Sequence, residues 1–176
     1  MKMTELWATP IAESHIENYG DVAVEMFAAA SRVDRGITGP DFNFADYFKG
    51  NAVLEQFLVE ITEAACEYTQ TYLSKDVKLK RCWLSFENQG DMTNPHIHYG
   101  SVVSSVFYLQ VPEGAGNLFL YDPRGGDPHW GSVPWKLIEA EAGKLLLFPS
   151  YLLHSTKANM SRNTRFAFAA DFTFKE

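Results

Sequence analysis

Two periodicities divide this chain. Up to about residue 74 the apolar positions recur at helical spacing. Val22, Met26, Ala29, Ala30 and Val33 predict a helix over residues 21–32. Leu54, Phe57, Leu58, Ile61, Ala65, Tyr68 and Tyr72 predict a second, longer one over 51–74. Asn51 suits its N-cap, and Glu55 near the first turn suits the helix dipole. Leu6 to Ile11 reads as a short opening strand or extended arm. Between the helices, Gly36 to Gly50 is loop-like, punctuated by Gly36, Gly39, Pro40 and Gly50 and anchored by Phe42, Phe44, Tyr47 and Phe48.

After Lys75 the pattern changes. Residues 79–88, 102–111, 116–121, 144–148 and 165–174 read as strands, separated by Gly-, Pro-, Asp- and Asn-rich turns. Gly125 to Val133 is the longest flexible-looking loop. Helices followed by many short strands predict an α+β chain, mainly β, whose body is a sandwich or barrel. The expected organisation is one domain, 1–176, with a helical part over about 17–74 and a β core over about 77–174.

Composition narrows the function. The chain has 176 residues, enough for one domain with a full core. Its net charge is −7 and it has no lysine/arginine run, which argues against a duplex nucleic acid or an anionic membrane as partner. No segment approaches the ~20 apolar residues of a membrane span, and no signal-peptide core opens the chain. Cys66 and Cys82, one in a helical and one in a strand pattern, are expected to be reduced thiols. A cytoplasmic setting follows as the expectation.

The chemistry concentrates in two segments. Asn94-Pro95-His96-Ile97-His98 places two imidazoles two residues apart, so that on a strand both leave one face. His154 follows the apolar run Leu145 to Phe148, and Arg165 opens the last strand. Neutral imidazoles suit iron, zinc, copper and nickel, and three of them on one face would leave positions open for a substrate or oxygen. The alternative is that His96 and His98 are ordinary polar residues at a strand end. His15 and His129 read as surface residues. Asp122-Pro123-Arg124 reads as a turn, with Arg124 a lesser candidate for the rim of a site.

These residues also carry a resemblance. Ala8-Thr9-Pro10-Ile11, Asn94 to Ser101 followed by Ser104 to Leu109, Leu118 to Arg124, Leu147 to His154 and Arg165 to Phe168 together resemble the 2-oxoglutarate–Fe(II) oxygenases. The ordered set spans nearly the whole chain, although no single motif in it is decisive. The resemblance implies a double-stranded β-helix, a jelly-roll, cupin-like core with supporting N-terminal helices. It implies an Fe(II) site using 2-oxoglutarate and O2, with oxidative decarboxylation coupled to oxidation of a small-molecule or peptide substrate.

By the same resemblance, His96 and His154 are metal ligands, and His98 stands where the family usually has a carboxylate. Either all three histidines bind or only two do. Arg165 matches the arginine that clamps the distal carboxylate of 2-oxoglutarate, with Arg162 a weaker contender and Ala167 in place of a common Ser or Thr. Tyr108 and Ser104 are the further cosubstrate candidates. Asn94, Trp83 and Arg124 are the substrate-side candidates. Rival readings are a three-histidine cupin-type dioxygenase that ignores 2-oxoglutarate, a metal-free jelly-roll binding protein and a scaffold with a vestigial site. Homodimerisation through sheet edges stays open.

Overall fold

A computed structural model describes residues 8–33, 43–126, 129 and 133–176. In chain order its elements are strand β1 (Ala12–His15), helix α1 (Tyr19–Ala30), a 3-10 turn (Phe44–Phe48), helix α2 (Ala52–Leu73), and strands β2 (Val77–Glu87), β3 (Val103–Gln110), β4 (Leu118–Tyr121), β5 (Trp135–Ile138), β6 (Lys144–Pro149), β7 (His154–Thr156) and β8 (Arg165–Phe174). A five-stranded sheet runs β1-β6-β3-β8-β2 and a three-stranded sheet runs β5-β4-β7. All their pairings are antiparallel.

Helix α2 forms where its apolar stripe predicts. Asn51 Oδ1 accepts a hydrogen bond from Leu54 N at 3.2 Å, satisfying an orphan donor of the first turn, and Ser74 ends the helix in the left-handed region at φ 53°. The stripe of Leu54, Phe57, Ile61, Ala65 and Tyr68 joins α1 and the large sheet in the main core. Phe57 packs on both Phe107 of β3 and Phe168 of β8. Burying a side chain of this size contributes about 1.5–3 kcal/mol.

The period of two along β8 then sorts its residues by role. Phe166, Phe168, Ala170 and Phe172 face the helices. Arg165, Ala167, Ala169 and Asp171 take the opposite face, where Ala167 packs with Tyr108 and Ala140. Strand β6 has apolar residues on both faces: Leu145 and Leu147 join the helical core, while Leu146 and Phe148 pack with Leu118 and Leu120 of the small sheet. The helices therefore brace one face of the large sheet, and the other face is left to the site.

Several expectations change. The opening strand lies at Ala12–His15, paired with Lys144–Leu147 of β6; of the segment read as a strand or extended arm over 6–11, residues 8–11 precede it outside any strand, and residues 1–7 lie outside the described set. Strands β5 and β7 lack a sequence signal of their own: β5 is mostly exposed and β7 is three residues long. Of the 36–50 loop, residues 43 onward are described and include the 3-10 turn, with Phe44 and Phe48 buried. Most of the 125–133 loop also lies outside the described residues. Among the described residues, no helix is long and apolar enough to cross a membrane.

Candidate metal centre

His96 and His98 do not lie on a regular strand. His96 makes a single bridge to His154, through His96 N to His154 O at 3.0 Å and His154 N to His96 O at 3.1 Å. His98 N donates to Ser150 O at 3.0 Å. The two histidines are thus held against the β6–β7 connection, where backbone pairing takes the place of the strand that the His-X-His spacing suggests.

The result is a cluster in which one ligand atom from each of His96, His98 and His154 lies within 4.8 Å of the others. His96 is half-buried, and His98 and His154 are buried. Each Nδ1 already has an acceptor: Asn94 O at 2.8 Å for His96, Leu152 O at 2.8 Å for His154, and Asp171 Oδ1 at 2.6 Å for His98. Such partners fix the tautomer and leave the Nε2 lone pair for a metal. Burial lowers the pKa of His96, and it lowers that of His154 to about 4. Both therefore stay neutral near pH 7, the form a metal requires.

Beneath His98 is a polar network around Ser104 whose Asp171, Arg81 and Ser150 sequence reasoning missed. Ser104 Oγ donates to Asp171 Oδ1 at 2.7 Å and lies 2.9 Å from Ser150 Oγ and 3.0 Å from His98 Nδ1. Arg81 Nε donates to Asp171 Oδ2 at 2.8 Å. Burial pushes the Asp171 carboxyl up, but the bonds from His98, Ser104 and Arg81 outweigh it and hold the group below the usual carboxylate range. An acid in the apolar run from Phe166 to Phe174 was the available signal, since a buried carboxylate needs partners. Trp83 meets His98 edge-on at 5.3 Å, and Phe148 meets His154 at 4.9 Å, so aromatic rings wall the cluster.

The remaining candidates are more dispersed. Arg165 is buried, contrary to a surface charge at a strand start, and its guanidinium donates to the Glu87 carboxylate and to Ala115 O and Gly116 O at 3.2 and 3.0 Å. Gly116 sits at φ +80°, where a Cβ would come within 2.2 Å of Lys157 O, so a side chain there would force the backbone to shift. Tyr108 is buried against Ala140 and Ala167. Ser104 lies in the network under His98, and Asn94 contributes its carbonyl to His96 while the residue itself is exposed. Arg124 folds back on Asp122 with two side-chain bonds of 2.9 Å, as turn chemistry predicts.

The donor set fits Fe(II): three imidazoles with oriented rings, flanked by aromatic side chains. A cluster fit for a carboxylate also exists, at Arg165 with the Thr93 and Thr156 hydroxyls, and it holds the carboxylate of Glu87.

Comparison with known proteins agrees with this geometry. Residues 81–171 match the family described as "Putative 2OG-Fe(II) oxygenase". Among solved structures, a Pseudomonas putida prolyl-4-hydroxylase superposes with a TM-score of 0.65 at 16% identity, covering 95% of this chain and 89% of that one. SnoN, a non-heme alpha-ketoglutarate-dependent epimerase from nogalamycin biosynthesis, gives 0.71 at 12% identity over 94% and 76%. HygX from Streptomyces hygroscopicus, solved with nickel and 2-oxoglutarate bound, gives 0.63 at 12% over 93% and 82%. At these identities the likeness shows the fold, a double-stranded β-helix. No curated protein matches the sequence.

Proposed function

The chain belongs to the 2OG-Fe(II) oxygenase family, and from that premise we propose that His96, His98 and His154 together hold its iron. The protein is an iron- and 2-oxoglutarate-dependent oxygenase acting on a small-molecule or peptide substrate. When bound, iron and 2-oxoglutarate supply oxidation of a substrate C–H bond by O2, coupled to decarboxylation of the oxo acid to succinate.

The chain's own residues prepare that chemistry. The Asn94 and Leu152 carbonyls and the Asp171 carboxylate lock the three imidazoles with Nε2 inward. Trp83 and Phe148 limit water around the rings. Arg165 is the candidate cation for the far carboxylate of the cosubstrate, held in this structure by Glu87, with Tyr108 on the neighbouring strand. Asn94 and Trp83 are the substrate-side candidates, and the exposed Tyr99 and Tyr151 directly follow His98 and Ser150 in the chain. The whole chain acts as one catalytic unit, and its two unpaired thiols support a cytoplasmic setting.

The observation that carries this reading is the convergence of three imidazoles, each with its Nδ1 already engaged. Anaerobic titration of 2-oxoglutarate into Fe(II)-loaded protein tests it. A visible charge-transfer band that disappears in His154→Ala is expected, with succinate formed once O2 is admitted. Stoichiometric iron without any band would instead select the three-histidine dioxygenase, which takes its substrate directly on the metal.

A further inference from the structure

Glu87 closes β2 on the same face as Trp83 and Arg81 and is 4% exposed. Its Oε1 accepts from Thr93 Oγ at 2.7 Å and Thr156 Oγ at 2.9 Å, and its Oε2 accepts from the Arg165 guanidinium. A guanidinium flanked by two hydroxyls is a receptor for a carboxylate. In this chain the receptor is filled from within.

The location of that receptor matters. Thr156 follows His154 by two residues on β7, so both side chains leave one face about 7 Å apart along the strand. The four C–C bonds of an extended 2-oxoglutarate span about 5 Å between its terminal carbons. The Glu87 carboxylate, held by Thr156, is therefore linked to His154 through a strand spacing comparable with the length of a five-carbon dicarboxylate. The second arginine on this face, Arg81, is bound to Asp171.

We propose that Glu87 is an internal competitor for the distal carboxylate of the cosubstrate and thereby sets the oxo-acid selectivity of the site. The proposal rests on reading Arg165 as the cosubstrate arginine. With Arg165 neutralised by Glu87, a distal carboxylate gains little on binding. The natural protein then discriminates weakly between 2-oxoglutarate and an oxo acid of the same length without that carboxylate. A neutral residue at position 87 frees the guanidinium for the ligand.

The test uses full-length protein loaded with one Ni(II) per chain, an O2-inert stand-in for Fe(II), and calorimetric titration with 2-oxoglutarate and 2-oxopentanoate. In the wild type the two affinities are expected within about threefold of each other. Glu87→Gln is expected to bind 2-oxoglutarate at least ~10-fold more tightly with 2-oxopentanoate unchanged, and Glu87→Gln with Arg165→Ala to lose that gain. A wild type that prefers 2-oxoglutarate by more than about tenfold overturns the proposal, as does a folded, nickel-loaded Glu87→Gln with no gain. The wild-type comparison needs no variant, so misfolding of Glu87→Gln does not shield the idea. If neither oxo acid binds any nickel-loaded form, the 2-oxoglutarate reading itself fails and takes this proposal with it.

Discussion

Asp171 and His98 are joined at 2.6 Å, with the carboxylate fully buried and also held by Arg81 and Ser104. As a proposed ligand, His98 would have its second nitrogen leaning on a negative charge. A usual facial triad carries a carboxylate on the metal itself. With three imidazoles as its ligands, a divalent ion would keep its full charge, and Asp171 would offset part of it through His98.

Removing that support has a measurable cost. Asp171→Asn keeps the shape of the side chain but loses the charge, and it is expected to weaken metal affinity by about 10–100-fold. Competition with a chromophoric chelator would measure this. An unchanged affinity would mean that His98 binds no metal.

Acid should destabilise the metal-free protein in a defined window. His154 has an ordinary pKa of 6.5 that burial lowers to about 4 in the folded chain. The unfolded chain takes up the proton first, so the stability this site contributes is present above pH 6.5 and is lost as pH falls toward about 4. The loss is on the order of 3 kcal/mol, from the size of the shift. Urea unfolding of apo wild type and apo His154→Ala across pH 4–7 would show it: the wild type should lose more than the variant.

Breaking the Arg165–Glu87 pair from one side leaves a buried, uncompensated charge. Arg165→Ala is expected to cost about 3–5 kcal/mol. Adding Glu87→Gln to it should recover part of that loss, because no stranded carboxylate remains. Chemical denaturation of the single and double variants would give the coupling, and strict additivity would show that the pair is not energetically linked.

The two thiols should differ in reactivity. Burial pushes the Cys82 thiol up to about 12, and the residue is fully buried in the main core. Cys66 is only partly buried on α2. Iodoacetamide is expected to alkylate Cys66 in the folded protein and Cys82 only after denaturation, as peptide mass mapping would report.

Much of this molecule could be read from the order of its residues. The stripe from Leu54 to Tyr68 predicted α2 and its Asn51 cap, and the alternation from Arg165 to Phe174 predicted β8 to the residue. Both patterns are local: one face of an element is buried, and the period of the apolar positions records which. The three clustered histidines were likewise visible as a set, because imidazole is a common metal-binding group wherever it falls in the chain. Strands β5 and β7 were not visible. The first is largely exposed and the second too short to show a period, so pairing with β4 makes them strands.

The chemistry around the histidines lay beyond such reading. Glu87 with Arg165 and His98 with Asp171 are contacts between residues 78 and 73 positions apart. The antiparallel register of β2 on β8 sets Glu87 opposite Arg165, and a shift of one residue would turn their side chains to the other face. Periodicity identifies which side of a strand is buried and which residues have chemistry to offer. Which charge meets which depends on register, a property of two strands together, and that is why Arg165 is legible as an anion-binding residue while the anion it holds, Glu87, is not.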